Sequence, residues 1–183
     1  MKKIVFLIVS FSLIFGCASA ANKRSLKGLP DYDLTIEIPQ GWYKPKNENR
    51  YLITKEQKAV LQYVFIQQRP LDSSFKNTQK KLRKRMLPLE SAGIIIDELG
   101  SDRRIMNFKV LENAPAVIDG HAGFKILFTH KNKKGFEYQT LYYGFISGNS
   151  FFNLRYSAGL QDYYDKGIAD FKRILGSFKL RAG

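Results

Sequence analysis

Three closely spaced apolar runs, His121 to His130, Phe136 to Ser147 and Phe151 to Ser157, constrain this chain more than any other feature. In the first, Ala122, Phe124, Ile126 and Phe128 share one parity, and Gly123, Lys125, Leu127 and Thr129 share the other. A period of two is that of a strand, whose side chains leave alternate faces. The second run sets Phe136, Tyr138, Thr140, Tyr142 and Ile146 against Leu141, Tyr143 and Phe145. It is apolar on both faces and belongs in the middle of a sheet. The third alternates Phe152, Leu154 and Tyr156 with Asn153 and Arg155. The links, Lys131 to Gly135 and Gly148 to Ser150, are short enough to force hairpins, with glycine supplying the turn conformations. A continuous antiparallel meander is the expectation.

The preceding chain adds further strands and a helical interval. Asp33 to Ile38 alternates before Pro39 and Gly41, Tyr51 to Thr54 is a short strand, and Ala59 to Gln68 returns beside it before Pro70. Trp42 at the strand exit reads as a core lid. Phe75 to Arg85 predicts a helix with a narrow stripe of Phe75, Leu82 and Met86, interrupted at Pro88. Leu89, Ala92, Ile96 and Leu99 then carry a second helical face that stops at Gly100 and Ser101. Ile105 to Leu111 predicts a return to the sheet, and Asn113 to Gly120 a turn into the meander. A final helix from near Tyr163 places Tyr164, Ile168, Phe171, Leu175 and Phe178 at helical spacing, and Ser177 to Leu180 leaves it as a short strand. The fold class is α+β, an antiparallel sheet with helices packed on it.

The N-terminus has a different logic. Lys2 and Lys3 precede Ile4 to Phe15, an apolar segment of the length used for export. Ile14, Phe15, Gly16 and Cys17 resemble a bacterial lipobox, which implies a signal peptide over 1–16 and a lipid-modified Cys17. Ordinary cleavage among Ala18, Ser19, Ala20 and Ala21 is the alternative. Cys17 is the only cysteine, so no intramolecular disulfide is available. Acyl chains on Cys17 would be the membrane attachment, and Ala18, in place of the aspartate tied to inner-membrane retention, favours the outer membrane by the same resemblance. Residues 17–29 are expected to form a flexible tether, and 30–183 a single domain facing the periplasm.

The net charge of +14 falls to +12 when Lys2 and Lys3 leave with the signal. That excess favours anionic partners: a phosphorylated glycolipid, anionic lipid or an acidic protein surface. Nucleic acid is disfavoured by the compartment. Lys76, Lys80, Lys81, Arg83, Lys84 and Arg85 concentrate the charge in one segment without an acid among them, and form the candidate anion-contact site, weighed against a merely solvated, solubilising face. The aromatic residues Tyr138, Tyr142, Phe152, Tyr156 and Tyr164 form a second candidate, a concave small-ligand surface between sheet and helix, weighed against plain core packing.

From Asp33 to Leu180 the domain resembles the PsbP-like, or DcrB-like, α/β sandwich families. The resemblance rests on Ile38, Pro39, Gly41 and Trp42; on Ile118 through Phe124; on the strands Tyr138 to Ile146 and Phe151 to Tyr156; and on Phe171, Ile174 through Phe178. It implies a fold and carries over no catalytic residue.

Chemistry is sparse. His121 and His130 at opposite ends of one strand would stand about 27 to 31 Å apart, too far to share a metal. Asp97 with Glu98, and Asp162 with Asp165, do not make an acid pair around a scissile bond; the second pair suits a helix N-terminus. Neither a G-x-S-x-G elbow nor a phosphate-binding loop is present. No metal or cofactor is called for. The expected role is a non-catalytic interaction or accessory function at the envelope; the alternative is a small-molecule carrier or sensor, with an enzyme third.

Overall fold

The structure, a computed structural model, describes residues 22–29, 32–43, 51–55, 61–160 and 163–182. Its centre is the meander. β6 (His121–Lys131), β7 (Glu137–Ser147) and β8 (Ser150–Gly159) pair antiparallel in sequence order. Both flanking turns are two residues long. Asp119 and Gly120, with φ of +47° and +78°, make the left-handed pair that matches strand twist, and they join β6 to β5 (Met106–Ile118). Gly148, at φ +60°, opens the turn between β7 and β8.

β5 is longer than its expected limit at Leu111. The segment around Pro115 was predicted to be a turn, yet Pro115 pairs opposite Phe124 within the strand. Proline is tolerated there because β5 lies at the edge of the sheet and needs no donor on its outer side. On the other flank β8 pairs with β4 (Gln62–Pro70), which pairs with β3 (Tyr51–Thr54). The large sheet therefore runs β3-β4-β8-β7-β6-β5.

A second sheet has β2 (Tyr32–Ile38) between β1 (Asn22–Leu29) and the C-terminal β9 (Lys179–Ala182). Within the tether expected over 17–29, Asn22 to Leu29 pairs along β2 as a strand. The signal segment and Cys17 lie outside the described residues.

Two helices cover the large sheet among the described residues. α2 (Tyr164–Ser177) packs with the small sheet on one face, around Leu34, Ile36, Trp42, Phe145, Phe152, Tyr156, Phe171 and Phe178. α1 (Pro88–Gly100) packs on the other, around Ala92, Ile95, Phe124, Ile126, Phe128, Tyr142 and Phe151. β7 and β8 are apolar on both sides because each face has its own core, and each fully buried aromatic contributes about 1.5–3 kcal/mol. Pro88 starts α1 instead of kinking a longer helix: it occupies the first turn, and Glu90 accepts the Leu87 backbone N–H at 3.0 Å.

Candidate functional site

The basic segment is not a helix. Residues 75–86 form an irregular loop before α1, with Gln79 in the left-handed region at φ +58°. A helix there would stack like charges three and four apart, Lys76 below Lys80 and Lys80 below Lys84, each pair costing about 0.2–0.5 kcal/mol. Three apolar anchors offer no face broad enough to offset that. Instead Phe75 and Leu82 turn inward, at 8% and 4% exposure, and the charged residues turn out.

Helix α1 fixes the loop. Glu98 accepts hydrogen bonds from the backbone N–H groups of Asn77 and Thr78, from the Asn77 amide and from the Thr78 hydroxyl, at 2.9–3.1 Å. Asp97 binds the Lys80 ammonium at 2.5 Å. At the loop base Arg69 lies 4.3 Å above the Phe75 ring and donates to the Ser74 carbonyl. The loop is thus a defined platform.

Its charge extends further than sequence proximity showed. An open cleft of about 480 Å³ is lined by Lys76, Asn77, Ser101, Asp102, Arg103 and Arg104. Arg103 and Arg104 arrive from the segment after α1, folded back beside the loop. Arg104 pairs with Asp102 at 2.7 Å, and that hydrogen bond, supported by the charge of Lys76, holds the Asp102 carboxyl below its usual range despite partial burial. Lys76, Lys81, Arg83, Lys84, Arg85 and Arg103 form no salt bridge among the described residues and are exposed. Sequence reading missed Arg103 and Arg104; the signal available was their position just past the helix stop at Gly100 and Ser101.

The aromatic group does not come together as one site. Tyr142 stands opposite Arg155, whereas Tyr156 stands opposite Leu141 and Phe152 opposite Phe145. Tyr138 and Tyr142 therefore face α1, and Phe152, Tyr156 and Tyr164 face α2. Their spacing along each strand was correct; the register between β7 and β8 separates them by the thickness of the sheet. The α2 half is filled. Tyr156 stacks on Phe171 at 5.6 Å, its hydroxyl reaches the carbonyls of Tyr163 and Tyr164 at 3.0 Å, and the Gln62 amide donates to it at 2.7 Å. Burial pushes this phenol up to about 12. These are the contacts of a core tyrosine.

Trp42 is buried too, its indole N–H donating to Asp170 at 2.8 Å. His121 sits beside the Phe145 ring and His130 between Phe128 and Tyr138. Among the described residues no three of His, Cys, Asp or Glu gather where they could hold a metal ion, and no helix is long and apolar enough to cross a membrane. Asp165 lies in the first turn of α2; Asp162 is outside the described residues.

No protein-family model matches the sequence, and no curated protein matches it. Solved structures do. The chain is similar to cyanobacterial PsbP from Synechocystis sp. PCC 6803, with 12% identity over 91% of this chain and 96% of that one, at a TM-score of 0.57. It is similar to LpqN of Mycobacterium tuberculosis, described as involved in cell envelope biogenesis, with 12% identity over 87% and 90% and a TM-score of 0.59. The Saccharomyces cerevisiae Ran-binding protein Mog1p matches at 9% identity over 87% and 96%, with a TM-score of 0.52. Sequence identities this low speak to architecture alone, and in architecture the chain is a PsbP-like α+β sandwich.

Proposed function

We propose that this chain is a lipid-anchored, non-catalytic docking module of the bacterial cell envelope, held at the outer membrane through acyl chains on Cys17 with its folded domain in the periplasm. Its basic platform meets an anionic glycolipid or the acidic surface of an envelope protein. The observation that carries the docking role is that Lys76, from the basic loop, lines one open cleft with Arg103 and Arg104, while Lys81, Arg83, Lys84 and Arg85 of the same loop stand exposed without a salt bridge among the described residues. Unpaired cations side by side repel one another, and an anionic surface relieves that repulsion. The lipobox-like segment ending at Cys17 supports the anchor, and an envelope setting agrees with what is said of LpqN.

The test is chemical crosslinking of the full-length protein in intact cells. Wild type is compared with a variant in which Lys76, Lys80, Lys81, Arg83, Lys84 and Arg85 are all glutamine. Expected is an adduct with a partner in wild type, lost in the variant, together with retention on envelope material that weakens at higher salt. Equal adducts and equal retention from a folded variant would reject the platform. Mass spectrometry of the mature N-terminus decides the anchor separately: acylated Cys17 supports it, and an unmodified chain beginning beyond Cys17 removes it.

A further inference from the structure

The hairpin between β6 and β7 projects from one end of the large sheet, and its residues 133–137 are exposed without a break. Strand parity sets Phe136 beside Tyr138 and Tyr142. The ladder, however, closes at the pair Lys131 and Glu137 and leaves Phe136 outside it, 57% exposed. It is the one aromatic among the exposed large hydrophobic side chains of the described residues. The tip that carries it is tightly bonded. Asn132 Oδ1 accepts the backbone N–H groups of Lys134 and Phe136 at 2.9 and 3.1 Å, and Gly135, at φ +82°, closes the turn.

Two further apolar residues lie at the same end. Met106, 40% exposed, pairs opposite Lys131, and Leu160, 38% exposed, donates its backbone N–H to the Glu137 carbonyl at 3.1 Å. Met106, Lys131, Glu137 and Leu160 therefore make one row across the end of the sheet, with Phe136 beyond it. Lys133 and Lys134 are exposed and form no salt bridge among the described residues, whereas Glu137, the only acid of the hairpin, pairs with Lys131 at 3.3 Å.

An exposed apolar group rimmed by cations marks a contact surface. Its convex shape selects the occupant. A protein partner would need a pocket matched to the ring, but lipid yields around a projecting tip, takes the ring among its acyl chains and leaves the lysines with headgroup phosphates. Two copies of the tip would bring four lysines together, which opposes self-association. We propose that this hairpin docks on an anionic phospholipid bilayer, with Phe136 at the boundary of headgroups and acyl chains and Lys133 and Lys134 on phosphates. The contact uses neither the platform's cations nor Cys17, so it and the reading above fail separately.

The test places a tryptophan at the tip. Full-length protein carrying Phe136→Trp is mixed with vesicles of equal parts phosphatidylethanolamine and phosphatidylglycerol whose acyl chains bear bromine. The one native tryptophan, Trp42, is 5% exposed, and wild type supplies its background. Expected is emission that shifts to the blue and is quenched by the bromine. Quenching should weaken about threefold or more when Lys133→Gln and Lys134→Gln are added, or on phosphatidylcholine alone, and stay unchanged with Lys76→Gln. Val117→Trp reports on the opposite end of the sheet, next to the turn before β6, from a side chain that is 74% exposed; it should remain unquenched. Both positions are exposed, so neither substitution disturbs a core. Absence of quenching at position 136 overturns the proposal, as does equal quenching of Val117→Trp or indifference to the two lysine substitutions. Because the signal comes from the tip itself, the state of Cys17 does not decide it.

Discussion

At Gly167 the first residue-scale prediction arises from a lack of space. A Cβ on Gly167 would stand 1.8 Å from the Gln62 amide nitrogen and 2.4 Å from the Tyr156 hydroxyl. Those two groups hold the start of α2 to the sheet. Gly167→Ala should therefore destabilise by about 1–3 kcal/mol through overpacking. Gly176 lies in the same helix with nothing within 4 Å, and Gly176→Ala should stabilise by roughly 0.4–1 kcal/mol. Urea unfolding of the two variants gives both signs in one experiment. Asp170 is the second case. Burial opposes its ionisation, but Trp42, Arg173 and Lys55 outweigh it, and its carboxyl stays below the usual range. A carboxyl depressed in the folded state contributes stability that is complete above its unfolded pKa of about 3.9 and is lost as pH falls through the folded value. Asp170→Asn should cost about 1–3 kcal/mol at pH 7. The gap from wild type should close below pH 4, as thermal melts over a pH series will read.

Among the elements, the basic loop depends most on a single side chain. Glu98 gathers the amides of Asn77 and Thr78, and Glu98→Gln removes the charge from those bonds. Expected is a loss of about 1 kcal/mol, with faster hydrogen exchange at Asn77 and Thr78 and no change at the amides of β7 and β8. Exchange spread evenly over the chain would mean that the loop does not depend on α1. The elements also differ in how far sequence exposes them. The meander was legible because period-two patterning and short glycine turns leave one arrangement. The helix expected over 75–85 was not, because a segment with three apolar anchors carries too little pattern to choose its own conformation; Glu98 and Asp97, on another element, chose it. The aromatic group failed by one residue of register. A three-residue link at 148–150 would put Tyr142 and Tyr156 on one face; the two-residue turn puts them on opposite faces. Glycine at the first turn position was the available clue.

For the whole molecule, the sequence implied one sheet with helices docked on it, and the structure adds a small sheet that closes the second core. Strand β9 comes from the far end of the chain and β1 from near its start, so no local pattern announces their pairing through β2. Asp119 links this sheet to the turn before β6 by binding the Lys179 ammonium and the Leu180 backbone N–H, both at 2.8 Å. The pairing of β1 also limits where the domain can stand. With acyl chains on Cys17, the leash ends at Asn22, on the order of 18 Å of chain at full stretch. Packed layers are about 10 Å apart, and the small sheet and the basic platform lie on opposite sides of the large one. Under the proposed anchor, so short a standoff would leave the cations on the side of the large sheet away from the small one, as in a bridge with one greasy foot and one charged one.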